Sequence, residues 1–430
     1  MDGRMNVNRR DVILAGLSVF TGTRVFAPSR AQSQGQNPAA RLLTALQSNR
    51  MPLTTTPGPG GAGWDWLVQQ ARAASFTLIG EEHGVAETAQ LSSALFVALR
   101  QYGYGRMAIE LSPPIAREME AAARGGGLRG VAELLREPSL WTFYNLREEA
   151  QFVADVVAAA PRSERVLWGF DREIFSDRYL ISKLEPKVPP GTRESFARLK
   201  QASANAWAAF DKSGNPDDMF LLADEPGLVS AVRSAWQNAD PESEEILRTL
   251  EASLAIETAE RTGGVWPYME TRTTWMRDNL AALIRDGQRH EPSPRVMIKG
   301  GYIHMIRGAN YFNFFDLGPM ADETATLNGA RSFHVIVLPG PGSRLAVPSG
   351  RRNFGSVSSD EFDEFKMGDQ RLSRVLSKVD AAGHEVIDLR ALRPLAMRGL
   401  EAWNSDVVRT IHGYDAAVIW KGAHASTTLS

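Results

Sequence analysis

Residues 76–84 read Phe76-Thr-Leu-Ile-Gly-Glu-Glu-His-Gly84 and carry the strongest structural signal in this chain. An apolar run stops at Gly80, and Glu81, Glu82 and His83 follow it directly. In an α/β sheet, a buried strand delivers polar side chains to its carboxyl edge, which is where such folds place their binding sites. The segment therefore predicts a buried strand that ends in a carboxylate and an imidazole.

Three further apolar runs end in ionisable residues in the same way. They are 106–110, 165–172 and 295–304, and they close with Glu110, with Asp171 and Arg172, and with His304. Packing alone does not require an ionisable residue at the end of every run. Because the carboxyl ends of parallel strands meet at one edge of the sheet, these runs predict a single polar site fed by several strands.

The fold class follows from the alternation of these runs with amphipathic segments. Leu91, Leu95 and Leu99 repeat at helical spacing, Gly103 closes that helix, and the second strand-like run begins at once. Later strand-like runs fall at 296–299, 333–338, 385–389 and 416–420. We therefore predict an α/β fold with a mostly parallel central sheet flanked by helices.

Residues 176–265 interrupt this alternation. They are rich in Ala, Leu, Glu and Arg, contain Pro and Gly at intervals, and include no strand-like run. This pattern predicts a helical insertion that shapes a substrate pocket. A helical layer of the same domain is the alternative interpretation.

The first residues predict an export signal. The pair of arginines in Asn8-Arg9-Arg10-Asp11 precedes a short apolar core, Val12–Phe20, and Ser29 and Ala31 have the spacing of a cleavage site. Twin arginines before a weakly apolar core are typical of a Tat signal. We expect residues 1–31 to be this signal and the protein to be periplasmic; a basic tail is the alternative.

Composition limits the remaining possibilities. Residues 32–63 are rich in Gln, Pro, Gly and Thr and predict a linker with one short helix at 39–47, so the folded domain is expected at 64–430. The formal net charge of −2 does not favour a nucleic-acid partner. No apolar stretch is long enough to span a bilayer, and the absence of cysteine excludes disulfides.

Glu81, His83 and Glu110 form the first group of candidate catalytic residues. A histidine beside carboxylates is oriented by them and becomes more basic, which suits a general base that acts on water. Carboxylates can equally hold a substrate cation or a metal ion. A histidine that only caps the next helix, with Glu87 in its first turn, is the structural alternative.

A second candidate group surrounds His304. Gly300 and Gly301 allow the backbone to approach another group closely, and Lys299 and Arg307 flank the histidine in the sequence. Basic groups here can polarise a carbonyl, hold an oxyanion or bind a substrate. A surface histidine in a loop is the alternative.

Asp171, Arg172 and Arg272 are the remaining candidates. Neighbouring Asp and Arg residues often form an ordinary surface salt bridge. Arg272 shares a helix face with Met276 and Leu280, so we expect it to point at the acidic cluster rather than into bulk solvent. A guanidinium that extends from a core helix toward the surface is the alternative.

The ordered series of motifs resembles the erythromycin esterase family, within a wider group that includes the ChaN-like haem-binding proteins and the TraB/Tiki proteins. The resemblance covers most of residues 75–428. It rests on Ile79–Gly84, Ala108–Glu110, Leu140-Trp141 with Glu148, Trp168–Asp171, the set Arg272, Met276 and Asn279, Gly301–His304, Asp388–Arg390, and Tyr414–Thr427. Each motif is short, and their common order carries the resemblance.

The resemblance implies a hydrolase that acts on an ester of a small molecule. It assigns the acid–base pair of the first motif to Glu81 and His83, the second acidic position to Glu110, and the later histidine to His304. We expect Arg272 to help His304 steady the oxyanion, and Asp171, Arg172, Lys299 and Arg307 to bind substrate. No resident cofactor is predicted.

Two departures from the esterase pattern keep alternatives open. One residue separates Glu81 from His83, where the esterases usually have two, and this shorter spacing is similar to that of the ChaN-like proteins. Gly301 stands where the esterases carry a further histidine. A haem- or iron-binding protein and a Tiki-like metal-dependent hydrolase, with a divalent ion held by the acids and histidines, are therefore the alternatives.

Overall fold

The computed structural model of this protein describes residues 38–56, 58–222, 227–289, 291, 293–340, 342–345, 356–358, 383–398 and 405–429. The predicted signal at 1–31 lies outside these residues. In the described part, no helix is both long and apolar enough to cross a membrane.

Eight of the ten strands in the described residues form one mixed sheet. Its order is β1-β9-β10-β6-β2-β5-β3-β4, and β7 and β8 form a separate antiparallel pair. The bounds are β1 (Arg50–Leu53), β2 (Phe76–Glu81), β3 (Tyr104–Ile109), β4 (Leu167–Gly169), β5 (Arg295–Gly301), β6 (Ser332–Pro339), β7 (Ser343–Leu345), β8 (Ser356–Ser358), β9 (His384–Asp388) and β10 (Ala416–Trp420).

The sheet confirms the prediction of a mostly parallel α/β fold. Within it, only β9 runs against its neighbours β1 and β10, and the other neighbouring pairs are parallel.

The helices are α1 (Pro38–Ser48), α2 (Gly61–Arg72), α3 (Ala86–Leu99), α4 (Pro113–Leu135), α5 (Arg147–Ala158), α6 (Asp177–Leu184), α7 (Arg193–Ser213), α8 (Leu228–Ala235), α9 (Pro241–Gly263), α10 (Val265–Gln288), α11 (Tyr302–Met305) and α12 (Leu317–Leu327), with Arg393–Arg398 and Ser405–Gly413 near the C-terminus.

Strand alternation divides the core into two faces. Ile79, Ile109 and Met297 point to a first face, where they pack with apolar side chains of α3 and α5. Leu78 and Ile298 point to a second face, which is covered by α10 and α12. The chain leaves β2 toward the first face and leaves the neighbouring β5 toward the second. Such a switch point opens a crevice at the carboxyl ends of the two strands, where ligands bind in α/β folds.

The segment expected to be a linker contributes to the sheet instead. Leu42 and Leu46 of α1 are buried in the second core, and β1 pairs with β9 at the edge of the sheet. An antiparallel bridge joins Thr54 to Gly60, at the two sides of the Pro- and Gly-rich stretch. The predicted helix at 39–47 is present as α1. The polar composition concealed an edge strand of four residues, too short to give a clear alternation.

The region 176–265 is helical, as predicted, and its described residues form no strand. Side chains from α6, α7, α8 and α9, including Leu184, Phe196, Val232 and Ile246, join the first core. The insertion therefore packs as a helical layer of the same domain, which was the second of the two interpretations.

Candidate functional site

The candidate site lies at the carboxyl ends of β2, β5 and β3. Glu81 is the last residue of β2 and pairs in register with Gly301, the last residue of β5. Glu110 comes directly after β3. The site therefore occupies the switch point of the sheet, and its side chains arrive from both faces.

A first-face network surrounds Lys299. Its Nζ donates to Glu81 Oε1 at 2.7 Å and to the two carboxylate oxygens of Glu149 at 2.9 and 3.0 Å. Lys299 is fully buried, and the rings of Tyr144 and Phe152 lie 5.1 Å from its ammonium. An ammonium in such apolar surroundings requires carboxylate partners, and here it has two.

The charges in this network set one another's pKa values. Burial raises the pKa of Glu81, but the Lys299 ammonium and the hydrogen bond with His83 outweigh it, so the net shift is downward. Burial raises the pKa of Glu149, and Lys299 only partly opposes that shift. Burial lowers the pKa of Lys299, but Glu149 and Glu81 more than compensate, leaving it well above its usual value.

A second-face network surrounds Arg272 of α10. Its guanidinium donates to both carboxylate oxygens of Asp171 at 3.1 and 2.6 Å and to Glu110 Oε1 at 2.8 Å. Burial raises the pKa of Asp171, but the charge of Arg272 outweighs it and brings that pKa to about 2. The Arg272 guanidinium is thus occupied by two carboxylates that it holds in place.

His304 joins the second-face network from α11. Its Nε2 lies 3.6 Å from Glu110 Oε1, and its Nδ1 lies 2.6 Å from Asp316 Oδ2. His304 and Asp316 are both buried. Asp316 therefore fixes the orientation of the imidazole whose other nitrogen faces Glu110.

Glycine makes room for the Glu110 carboxylate. A Cβ at position 300 would lie 2.8 Å from Glu110 Oε2, which is closer than real Cβ contacts allow. The backbone N–H of Gly301 donates to the same oxygen at 2.6 Å. The two glycines predicted to permit a close approach therefore do so, and the group that approaches them is Glu110.

His83 joins the two networks across the edge of the sheet. Its Nδ1 lies 3.2 Å from Glu81 Oε1, and its Nε2 lies 3.7 Å from Glu110 Oε2. Its side chain is 27% exposed, whereas those of Glu81 and Glu110 are buried. Burial lowers the pKa of His83, but the hydrogen bond to Glu81 and the charges of both carboxylates raise it above its usual value. The Phe143 ring packs against the imidazole at 4.7 Å between centroids.

The structure brings Glu81, His83, Glu110, His304, Arg272 and Asp171 together, with Lys299 beneath Glu81. It gives Arg172 other partners: Glu257 at 2.7 Å and the Tyr268 hydroxyl at 2.9 Å. Arg307 does not enter the cluster. It pairs with Asp415 at 2.6 Å and Asp322 at 3.1 Å, beside the first residues of β6 and β10.

Two residues of the networks were missed from the sequence. Glu149 lies on the buried face of α5 with Phe152, Val153 and Val156, and a carboxylate inside an apolar stripe was a detectable signal. Asp316 accepts the backbone N–H of Leu317 at the start of α12. An aspartate before an apolar helix signals an N-cap, but nothing in the sequence connects it to His304.

The networks do not form a ready metal centre. No group of three or more His, Cys, Asp or Glu side chains in the described residues has the arrangement to hold a metal ion. The physical reason lies in the pairing of the acids: Glu81 and Glu149 bind Lys299, while Glu110 and Asp171 bind Arg272. A divalent ion would have to displace a buried cation from its partners.

Several solved structures share this fold. A succinoglycan biosynthesis protein aligns with a TM-score of 0.63 at 13% identity, over 92% of this chain and 100% of its own. A Bacillus cereus protein aligns with a TM-score of 0.57 at 15% identity, over 92% and 100% of the two chains. A histidine-to-asparagine variant of erythromycin esterase EreC, in its open conformation, aligns with a TM-score of 0.56 at 12% identity, over 85% and 95%.

These structural similarities establish the fold alone, because sequence identities of 12% to 15% do not show a shared function. No family model matches the chain, and no curated protein matches it. The chain therefore shares its α/β fold with these solved structures, erythromycin esterase EreC among them, which is the coarser part of the resemblance predicted from the sequence.

Proposed function

We propose that this protein is a hydrolase that cleaves an ester of a small molecule, with His83 as the general base. The observation that carries the proposal is the position of His83: a partly exposed imidazole between two buried carboxylates. A histidine held in this way has a fixed orientation, a raised basicity and access to solvent, and these are the requirements for activating water.

The first chemical step uses the two nitrogens of His83 differently. Nδ1–H donates to Glu81, which Lys299 helps to keep ionised, so Nε2 carries the free electron pair. Nε2 removes a proton from water, and the water oxygen attacks the ester carbonyl carbon. When the tetrahedral intermediate collapses, the imidazolium returns that proton to the leaving alkoxide, and the products are an acid and an alcohol.

The geometry supports positioning roles for Arg272 and Lys299. We had expected Arg272 to steady the oxyanion, but its guanidinium is occupied by Asp171 and Glu110. In the proposed mechanism it holds Glu110 beside His83 Nε2, as Lys299 holds Glu81 beside Nδ1. His304 remains the candidate donor to the oxyanion, since its Nε2 faces the same carboxylate as His83 does.

The sequence supports an extracytoplasmic place of action for this hydrolase. The Arg9-Arg10 pair and the apolar core 12–20 have the order of a Tat signal. Export in the folded state would suit a chain without cysteine, whose stability comes from its core rather than from disulfides.

His83→Ala tests the proposal. We expect the rate of hydrolysis of short activated esters to fall by about 10²–10⁴, while the thermal unfolding midpoint changes little. His412→Ala is the matched control, because His412 lies outside both networks on helix Ser405–Gly413, and it should keep the wild-type rate. The proposal fails if His83→Ala keeps full turnover.

A second result would replace the proposal with the haem-binding alternative. That result is a wild-type protein that hydrolyses no member of a broad ester panel and yet binds hemin tightly. Metal analysis of the freshly purified protein addresses the Tiki-like alternative: a stoichiometric divalent ion, whose removal abolishes hydrolysis, would support it.

A further inference from the structure

An exposed apolar patch borders the second-face network. Among the described residues, seven large apolar side chains are exposed. The rings of Trp266 and Phe314 contact each other, with 4.4 Å between their centroids. Four of the seven exposed residues are Trp266 itself or lie within two positions of Trp266 or Phe314 in the sequence. The four are Val265 at 52%, Trp266 at 58%, Phe312 at 41% and Phe315 at 61% exposure. We call Val265, Trp266, Phe312, Phe314 and Phe315 the aromatic patch. Clustered apolar exposure of this kind marks a binding surface.

The loop that carries three of these rings has a defined conformation. The side-chain oxygen of Asn310 accepts the backbone N–H groups of Phe312 and Phe314, each at 3.0 Å. Asn313 has a φ of +65° and is the only described non-glycine residue with a positive φ. Asparagine tolerates this left-handed conformation well. Arg409 donates to the Asn310 carbonyl at 2.9 Å and to the Asn313 side chain at 3.0 Å. The loop is therefore built to present its phenylalanines outward.

The same loop ends in the reaction centre. Asn310 Nδ2 lies 3.4 Å from Asp316 Oδ2, the oxygen that also holds His304 Nδ1. The other half of the patch begins α10, the helix that carries Arg272. Arg277 of this helix donates to the Phe315 carbonyl at 3.3 Å and ties the two halves together. Both elements of the patch thus also supply residues of the second-face network.

The charges of the site indicate what kind of group the patch receives. Lys299 and Arg272 are each engaged by two carboxylates, so the networks offer neither cation to an anionic substrate group. An uncharged substrate with a long aliphatic or aromatic portion can place its ester near His83 and its apolar portion on exposed rings, as ligand sites commonly arrange polar and apolar contacts.

We propose that the aromatic patch is the acyl-binding subsite of this hydrolase and that its substrates are uncharged esters with a large apolar acyl group. This inference rests on the proposed hydrolase function. The patch then determines specificity without taking part in the chemistry, because its apolar side chains carry no general acid, general base or nucleophile.

Kinetics with two esters that differ only in acyl length test the subsite. We expect Trp266→Ala and Phe315→Ala each to lower kcat/KM for p-nitrophenyl octanoate about tenfold, mainly through KM, since each removes one apolar contact. Hydrolysis of p-nitrophenyl acetate should stay within about twofold of wild type, because its acyl group is too short to reach the patch. Leu327→Ala, at an 87% exposed leucine outside the patch, should change neither.

Direct binding separates this inference from the proposed chemistry. The probe is 2-undecanone, an uncharged ketone that has no ester to hydrolyse, titrated by calorimetry into the wild type and both variants. If the wild type cleaves no ester but binds the ketone through Trp266 and Phe315, the hydrolase proposal fails and an apolar subsite stands. The subsite is overturned if both variants bind the ketone as wild type does and keep the preference for octanoate. It is equally overturned if the variants abolish only self-association or binding to phosphatidylcholine vesicles.

Discussion

Replacing Lys299 by methionine should destabilise the protein strongly, because it leaves two buried carboxylates without their cation. Lys299 is fully buried and binds Glu81 and Glu149 at 2.7 to 3.0 Å. Removing one partner of a buried ion pair costs about 3–5 kcal/mol of unfolding free energy, since the remaining charge is left unsolvated. Methionine has a similar length and fills the space between the rings of Tyr144 and Phe152, so lost packing contributes little.

The stability lost on replacing Lys299 by methionine should depend on pH, and the environment of the two carboxylates sets the direction of that dependence. In the wild type, the pKa of Glu81 is lowered, so its contribution to stability is present above the unfolded-state pKa of about 4.3 and disappears as the pH falls through the folded value. In the variant, burial without a cation should raise the pKa of Glu81 above its usual value and raise the pKa of Glu149 further. A raised carboxyl pKa stabilises the fold only at low pH. The variant should therefore lose most stability near pH 8 and least near pH 4.5.

Urea unfolding followed by the fluorescence of the ten tryptophans measures both effects. Lys200→Met is the matched control, because Lys200 and its partner Glu185 are each 51% exposed and joined at 2.5 Å. That exposed pair should contribute less than about 1 kcal/mol. An equal cost for the two substitutions, or a Lys299→Met cost that does not change between pH 5 and pH 8, would refute the reasoning.

Two further predictions concern activity. The pH profile of kcat/KM should rise through an apparent pKa above 6.5, because His83 acts when neutral and its pKa is raised. Glu110→Gln should move this rise to lower pH, because it removes one of the negative charges that raise the pKa of His83. If initial-rate assays show the rise at the same pH in the variant, His83 is not the titrating base. Gly300→Ala should lower the rate at least tenfold, since its Cβ would lie 2.8 Å from Glu110 Oε2, whereas Gly308→Ala, with no atom within 4 Å, should match wild type.

The sequence was sufficient for the strands at the centre of the sheet, because β2, β5, β6 and β10 are almost entirely buried. A buried parallel strand gives a mainly apolar run, as in 76–80, 296–298 and 416–420, and this pattern does not depend on distant residues. The direction of β9 could not be predicted in the same way. Parallel and antiparallel strands at the centre of a sheet have similar apolar runs, so the run at 385–389 does not give the direction of the strand.

The candidate site could be predicted in part from the sequence for a related reason. Glu81 ends β2, Glu110 directly follows β3, and His304 lies three residues after the end of β5, so the strands themselves bring these residues to the carboxyl edge. Arg307 is only three residues beyond His304, but the chain turns after α11, and its guanidinium reaches Asp415 instead. Glu149 lies far from any strand end and enters the site through helix packing. The sequence predicts which residues lie at the end of a strand. It does not predict which residues of a distant helix pack against them.

The division of the site between two faces explains why His83 is placed on a turn rather than on a strand. A side chain on β2 points to one face only, as Glu81 does toward Lys299. Two residues later, after the chain has left the sheet, His83 can contact Glu81 with one nitrogen and Glu110, which comes from the other face, with the second. Gly84 has a φ of +81°, and a Cβ there would lie 2.2 Å from the Leu345 carbonyl oxygen, so the turn needs a glycine. The single residue between Glu81 and His83 is therefore the spacing that lets one imidazole join both networks.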